Sequence, residues 1–596
     1  MNLPGANSDV RSVLARAGVT VFAACLCLTA AGHSFPASVT ISGAEGRRLD
    51  DYATRAEALG FSGTLFVEKG GRVILSKGYG YSDIARGIPN SPDTVFYLAS
   101  LSKQFTAAAI LKLESDGKLS VNDQISRYLP GVEADKAAIT IHQLLTHTSG
   151  LGNFGFDDLA GDWRQMNRDD AVRGILGTQL QAQPGMKFSY TNTDYLLLAA
   201  IVEYVSKERF QDFVHEKLLV PGRVEGIGFG WNWSGDSLQV AHGYSGLDDL
   251  GNYLGRTKTW LRVGPADALA RAEDLGRWLQ ALQSGRVLPA NEREKMFSLE
   301  TVIEPGYGYG YGWWVRQTPD GLRRIVFHAG DFPGYHSEMR WYSVDDLVVI
   351  VASNMEFRGS SITENLLNGT LAVLQGKEPD LQKASLASPE EAAQLAGKYV
   401  LEDGGWIEVT DKRARLFVSA QGQKALDLLM GNDTTLSSSR RDDGQRALDL
   451  VMRLKHQGST AYGGTLTPGS APQEKDFEEE WKDLSSRYGD LRSFQFIGTL
   501  PVGSKASRSI LQMNFERKTL FMAFTWIASK LDSTQPNANP PQSLALGRIS
   551  KDHFIAFDWA AAKSLEFEFV PNEHGEVSGL RLTGHDVVSY LKREKP

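Results

Sequence analysis

The sequence predicts an α+β protein: an antiparallel sheet with packed helices and a helical lobe, followed by an all-β, barrel-like region. Strand-like runs at residues 61–80 and 325–354 bracket a mainly helical middle, so the two ends of one domain share a sheet. Beyond residue 392 the pattern turns to short alternating runs, as in antiparallel barrels or sandwiches. With 596 residues, 42% hydrophobic and 22% charged, the chain has material for a large core and more than one domain.

At the start, Arg11 and Arg16 precede the apolar run AGVTVFAACLCLTAAG, and small residues offer a cut after Gly32. Residues 1–32 therefore read as an export signal; the run is too short and too rich in small residues for a good membrane span. Both cysteines, Cys25 and Cys27, lie inside it. Cleavage leaves a mature chain without thiol, Cys-ligated metal or internal disulfide, which suits a periplasmic or secreted protein. Lipidation at Cys25, in the imperfect site FAAC, is the one route to a membrane in this reading. The net charge is −8 with no basic stripe, which argues against a nucleic-acid partner, since phosphate neutralisation needs clustered Lys and Arg.

The run FSGTLFVEKGGRVILSKGYG from residue 61 predicts a hairpin turning at Gly70-Gly71. A helix is expected over 97–116, stopped at Asp116-Gly117, with further helices at 193–206 and 267–283. RIVFHAG, YHSEMRWYS and LVVIVASN read as strands, the last nearly all apolar, as an interior strand would be. These pieces outline a domain over 45–375. A polar linker over 376–392 precedes one β-rich unit at 393–464, in which ALDLVMRLKH reads as a strand. A polar gap at 465–482, with an acidic run at 474–480 read as a solvated connection, leads to a second β-rich unit at 483–596. Whether the two units close one barrel or two stays open.

Ser100 and Lys103 stand one helical turn apart and face the same way. A serine hydroxyl is a poor nucleophile until a base takes its proton, and an amine does so only when desolvation or nearby positive charge lowers its pKa. The apolar run around Phe105, Ala107, Ala108, Ala109 and Ile110 can bury the lysine stem. By itself the pair reads equally well as a surface turn. FSYTNTDY adds Tyr190 and Asn192, which in an extended segment project to one side as a phenolic relay and a double-ended amide. VFHAGDFPGYHS adds His328 at a strand end and Gly330, whose missing side chain would let substrate backbone approach. Each alone is an ordinary packing or surface residue.

Together, and in this order, S100-L-S-K103, Y190-T-N192 and H328-A-G330 resemble the three motifs of the serine beta-lactamase and penicillin-recognising peptidase superfamily. The likeness is closest to its class C-like branch, which includes beta-lactamases, D-alanyl-D-alanine carboxypeptidases, D-aminopeptidases and carboxylesterases. LLTHTSGL at 144–151, YGYGWWV at 309–315 and HAGDFPGYHS at 328–337 add to it, and it covers about 50–375. The resemblance implies a beta-lactamase-like fold, Ser100 as acylated nucleophile, and Lys103 and Tyr190 sharing proton abstraction and delivery. It implies Asn192, His328 and Gly330 on the substrate, and the backbone N–H groups of Ser100 and Asp331 as the oxyanion hole. His328 departs from the lysine of penicillin-directed enzymes, which weakens recognition of a substrate carboxylate. His147, in THTSG, reads as a loop-forming element rather than a base. EPGYGYGYGWWV at 304–315 reads as a packed strand or a cleft wall.

The expected activity is that of an exported serine hydrolase on amide or peptide bonds of a small molecule or short peptide, with D-residues among the candidates. Carboxylesterase or beta-lactamase activity, and a catalytically silent envelope scaffold, are the alternatives. No cofactor or metal is called for; no H-E-x-x-H or G-x-S-x-G motif accompanies the site. QLAGKYV at 394–400 and FVPNEHGEVSGLRLTG at 569–584 resemble the ends of β-barrel extensions found on such hydrolases, as a gate on the cleft or a stabilising appendage.

Overall fold

The computed structural model describes residues 38–154, 165–356, 361–402, 404–430, 438–458, 471–502, 506–528, 530–536, 543–559, 563–584 and 587–594. The export segment with Cys25 and Cys27 lies outside them. Nine antiparallel strands form the central sheet, in the spatial order Thr40–Ile41, Arg72–Tyr79, Gly63–Lys69, Leu347–Ser353, Tyr335–Tyr342, Arg324–Phe332, Trp314–Gln317, Tyr307–Tyr309 and Thr301–Glu304. The early hairpin turns at Gly70 and Gly71, both in the left-handed conformation such a turn requires (φ +57° and +70°). Its first strand pairs with Leu347–Ser353, Leu65 opposite Val351, so the two ends of the domain do share one sheet.

That shared strand explains its unbroken apolar sequence. Val348 and Ile350 face a core with the helices Lys103–Ser115, Asn192–Ser206 and Ala272–Gln283. Val349 and Val351 face the other core, with Gly43–Ala58 and Ser361–Leu374. A strand covered on both faces needs apolar residues at both parities. The helix expected from residue 267 starts later: Ala268–Ala270 is a strand between Phe96–Tyr97 and Ile227–Phe229, and the helix begins at Ala272.

The C-terminal region holds one closed eight-stranded barrel, made by Gly397–Val400, Trp406–Lys412, Arg415–Gln421, Leu544–Ser550, His553–Asp558, Lys563–Pro571, Val577–Gly584 and Val587–Arg593. Between its third and fourth strands the chain leaves to build a different unit. There the helices Gln423–Met430, Ser438–Gln457 and Ala471–Tyr488 accompany a four-stranded sheet, Leu491–Val502, Ala506–Phe515, Thr519–Ile527 and Lys530–Pro536. The later part of this insertion has its own core. The boundary read at 465–482 is thus not a division between two β units. ALDLVMRLKH is helical rather than a strand: Ala447, Leu450, Val451 and Leu454 are the buried positions, a three-four spacing that short-window alternation disguised. The acidic run likewise sits on a helix, with Phe477, Trp481 and Leu484 turned inward.

The barrel is fastened to the back of the first helix. Trp559 Nε1 donates to Leu59 O at 2.8 Å, and Arg415 donates to Glu57 O and Phe61 O at 3.3 and 3.1 Å. Phe417, Ala545, Ile555 and Trp559 join the same apolar cluster as Leu49, Tyr52 and Ala53.

Candidate active site

Ser100 does not lie in the α-helix expected for it but in the 3-10 turn Ala99–Ser102 that leads into Lys103–Ser115. Ala99, immediately before it, holds φ +46°, a left-handed conformation that costs a residue bearing a Cβ of the order of 1 kcal/mol. The turn is clamped from two sides. Leu98 N donates to Ala268 O at 2.9 Å, and Ala268 N donates to Ser102 Oγ at 2.9 Å. Ser337 Oγ donates to Leu98 O at 3.1 Å from the neighbouring sheet. Gly330 completes the clamp: a Cβ there would fall 2.0 Å from Leu98 O. The close approach this glycine permits is to the Leu98 carbonyl that leads into the Ser100 turn.

Lys103 is the first residue of its helix and is wholly buried (0% exposed). Its Nζ donates to Ser100 Oγ at 3.0 Å, to Asn192 Oδ1 at 2.7 Å and to Pro265 O at 3.4 Å. Gly264, at φ +99°, brings that last carbonyl in: a Cβ would meet Tyr195 O at 2.4 Å. All three acceptors are neutral. Burial therefore drives the Lys103 ammonium well below the usual lysine range, against the opposing pull of Asp194. The shift is toward the neutral amine that a base requires.

Tyr190 lies just ahead of the helix Asn192–Ser206, which Asn192 opens and Thr191 caps by accepting from Thr193 N at 3.1 Å. Asn153 Oδ1 holds this corner, accepting from Thr191 Oγ1 at 2.7 Å and Asn192 N at 2.9 Å. The Lys103 Nζ is 4.8 Å from the Tyr190 ring centroid. Burial raises the Tyr190 phenol far above its ordinary range, opposed by its hydrogen bond with Ser100, so it stands ready as a proton donor.

His328 is nearly inaccessible (2% exposed), and both ring nitrogens are engaged. Nδ1 lies 2.6 Å from Ala329 O, and Nε2 lies 3.0 Å from Tyr309 Oη. Carbonyl oxygen only accepts, so Nδ1 carries the proton and Nε2 accepts from the tyrosine. Burial is the largest cause that pushes this imidazole down to about 3. It is a neutral part of the cleft wall.

Behind these groups lies a polar cluster that sequence reading missed. His147, in the left-handed conformation at φ +57°, sits with Nδ1 3.0 Å from Asp194 Oδ2, and Ser149 Oγ donates to Asp194 Oδ1 at 2.5 Å. Thr191 N donates to the same Nδ1 at 3.3 Å, which leaves Asp194 as the protonated partner. Burial favours this state from both sides, raising Asp194 well above and lowering His147 well below their ordinary ranges. The available signal was an acid two residues after Asn192 in an otherwise apolar helix. The stretch 304–315 divides its residues between tasks: Tyr307 and Trp314 line the cleft, Tyr309 orients His328, and Trp313 is core.

A buried lysine bridging a serine and an asparagine, with a tyrosine alongside, is the arrangement that serine acyl transfer of the Ser-Lys-Tyr type calls for. The beta-lactamase family matches residues 50–372, and this chain belongs to it. Members of this superfamily are serine hydrolases. A penicillin-binding protein of Bacillus subtilis is 29% identical over 410 residues, covering 64% of this chain and 89% of its own. Protein flp of Staphylococcus aureus is 29% identical over 311 residues, spanning 49% of this chain and 59% of flp. Among solved structures, the D-amino acid amidase of Ochrobactrum anthropi SV3 is 21% identical, covers 55% of this chain and 99% of its own, and gives a TM-score of 0.48.

Proposed function

We propose that the protein is an exported serine hydrolase that cleaves amide or peptide bonds of small molecules or short peptides through an acyl-enzyme on Ser100. The observation that carries this reading is the buried Lys103 Nζ, 3.0 Å from Ser100 Oγ and 2.7 Å from Asn192 Oδ1, with no carboxylate among those contacts to keep it charged. In the first step the neutral amine takes the Ser100 proton as Oγ attacks the substrate carbonyl. The backbone N–H groups of Ser100 and Asp331 receive the developing oxyanion. Ser100 suits this role because a first-turn N–H has no acceptor within its own turn.

The tetrahedral adduct then expels its amine, which leaves with a proton delivered through Tyr190 from the Lys103 ammonium. Asn192 holds Lys103 through its Oδ1, and its amide NH2 remains for the substrate carbonyl side. Water attacks the acyl-enzyme in the second half, with the same amine and phenol returning the proton to Ser100. Amide substrates are favoured because Tyr190, protonated and hydrogen-bonded to Ser100, can relay to a departing amine the proton that such a leaving group needs.

The test is a panel of D- and L-aminoacyl amides, short peptides, short-chain esters and penicillins, followed by mass spectrometry with the Ser100→Ala protein in parallel. Ser100-dependent loss of amides or peptides is the expected result and names the leaving group. Loss of esters alone would make the protein a carboxylesterase. No Ser100-dependent loss would favour a silent scaffold.

A further inference from the structure

The cleft in front of Ser100, about 370 Å³, has two unlike walls. One is aromatic: Tyr307 stacks on Trp314 at 5.6 Å and 7°, and Trp314 on Tyr190 at 6.1 Å and 16°. The other carries Asp331, Glu338 and Glu364, close enough that Asp331 and Glu364 both raise the Glu338 carboxyl, whose largest push is burial. Asp331 is half exposed and takes a hydrogen bond from His336 Nδ1 at 2.8 Å; Glu364 is exposed.

Among the described lining residues, carboxylates outnumber the permanently charged bases. Arg340 is the one arginine or lysine among the described lining residues, and its Nε is already bound to Glu338 at 2.5 Å. Lys103 is held toward its neutral form by burial, and His328 is neutral with both nitrogens occupied. With Glu338 and Arg340 cancelling, Asp331 and Glu364 remain. An entering carboxylate meets Glu364 and the Asp331–His336 pair, with no arginine or lysine besides Arg340 among the described lining residues. An ammonium meets two carboxylates and the faces of three stacked rings, both of which attract it.

Resting on the hydrolase reading, we infer that the cleft selects substrates bearing a protonated amine beside an apolar or aromatic group, and rejects those that present a carboxylate to the same wall. The reason is the pairing of an aromatic face with Asp331 and Glu364, acids beyond the one that Arg340 answers, in the space that holds Ser100.

The test uses the full-length protein and an uncharged serine-directed phosphonate ester, with Ser100 modification followed by intact-protein mass spectrometry. Three competitors share a phenylethyl group and end in a cationic, a neutral or an anionic head: 2-phenylethylammonium, 3-phenylpropionamide and 3-phenylpropionate. The ammonium is expected to protect Ser100 at a concentration at least about tenfold below that needed for the carboxylate. Glu364→Gln, an exposed and isosteric change, is expected to narrow that ratio by about threefold or more. Equal protection by all three, or better protection by the carboxylate, would overturn the inference while leaving the nucleophile in place. Failure of the phosphonate to modify Ser100 without competitor would instead remove the hydrolase reading, and this inference with it.

Discussion

Two of the clusters of ionisable side chains buried in the first domain end in opposite states. Around Asp274, wholly buried, Arg271 Nε lies at 2.5 Å and an Arg277 nitrogen at 3.1 Å, and Arg271 also reaches Asp93 at 3.1 Å. Burial pulls Arg271 down, but Asp274 and Asp93 outweigh it and hold the guanidinium above its usual range. Around Lys103 the burial is as deep and the acceptors are a hydroxyl, an amide oxygen and a backbone carbonyl. There burial wins. A buried charge answered by opposite charge is scaffold, whereas a buried amine answered by neutral oxygens is poised to exchange a proton.

Breaking the two clusters should therefore have opposite consequences. Lys103→Met, nearly isosteric, is expected to lower kcat/KM by about 10³-fold or more, since it removes the base. It is also expected to raise stability at pH 7 by about 1 kcal/mol, read as a higher Tm. The sign follows from linkage. The native pKa of Lys103 lies below its unfolded value of about 10.4, so the unfolded chain binds more protons between them and stability rises with pH across that window. Below it, amine burial is a standing cost that methionine relieves.

Asp274→Asn should do the reverse, lowering stability by about 3 kcal/mol because two arginines lose their counter-charge. Once allowance is made for the unfolded fraction, kcat/KM should stay within about threefold. A large loss of activity in the folded fraction would erase the distinction between the clusters.

Gly330→Ala falls between them, because its new Cβ would press on Leu98 O and shift the nucleophile turn. Expected losses are about 1–3 kcal/mol in stability and about tenfold or more in kcat/KM. The smallest effect belongs to Asp194→Asn, which can still donate to His147 Nδ1. Activity should fall by less than about fivefold. The acid limb of kcat/KM should stay where it is, because a protonated Asp194 carries no charge for the amide to remove. A shift of that limb to lower pH would show that Asp194 is ionised and contradict that assignment.

Much of the sheet was legible because it rests on local patterns: the Gly70-Gly71 turn, and the all-apolar strand that only a two-sided burial explains. The inserted unit was not, since ALDLVMRLKH satisfies a strand window and a helix window alike, and only its partners at Phe477 and Trp481 decide between them. At the site, Ser100, Lys103, Tyr190 and Asn192 were readable as residue types in order. Pro265 O was not, because a backbone carbonyl has no sequence signature, and its arrival depends on Gly264 packing against a helix more than sixty residues earlier. Gly330 was visible as a glycine, but what fills its space is Leu98, far away in sequence.

The most direct test of the account is the pH dependence of Ser100 modification by an uncharged serine-directed phosphonate, followed by intact-protein mass spectrometry. The account predicts a rate that rises with pH to a plateau reached well below the ordinary lysine value of about 10.4, with that limb lost in Lys103→Met. A rate that keeps climbing into the ordinary lysine range, or a Lys103→Met protein modified as fast as the wild type, would contradict it.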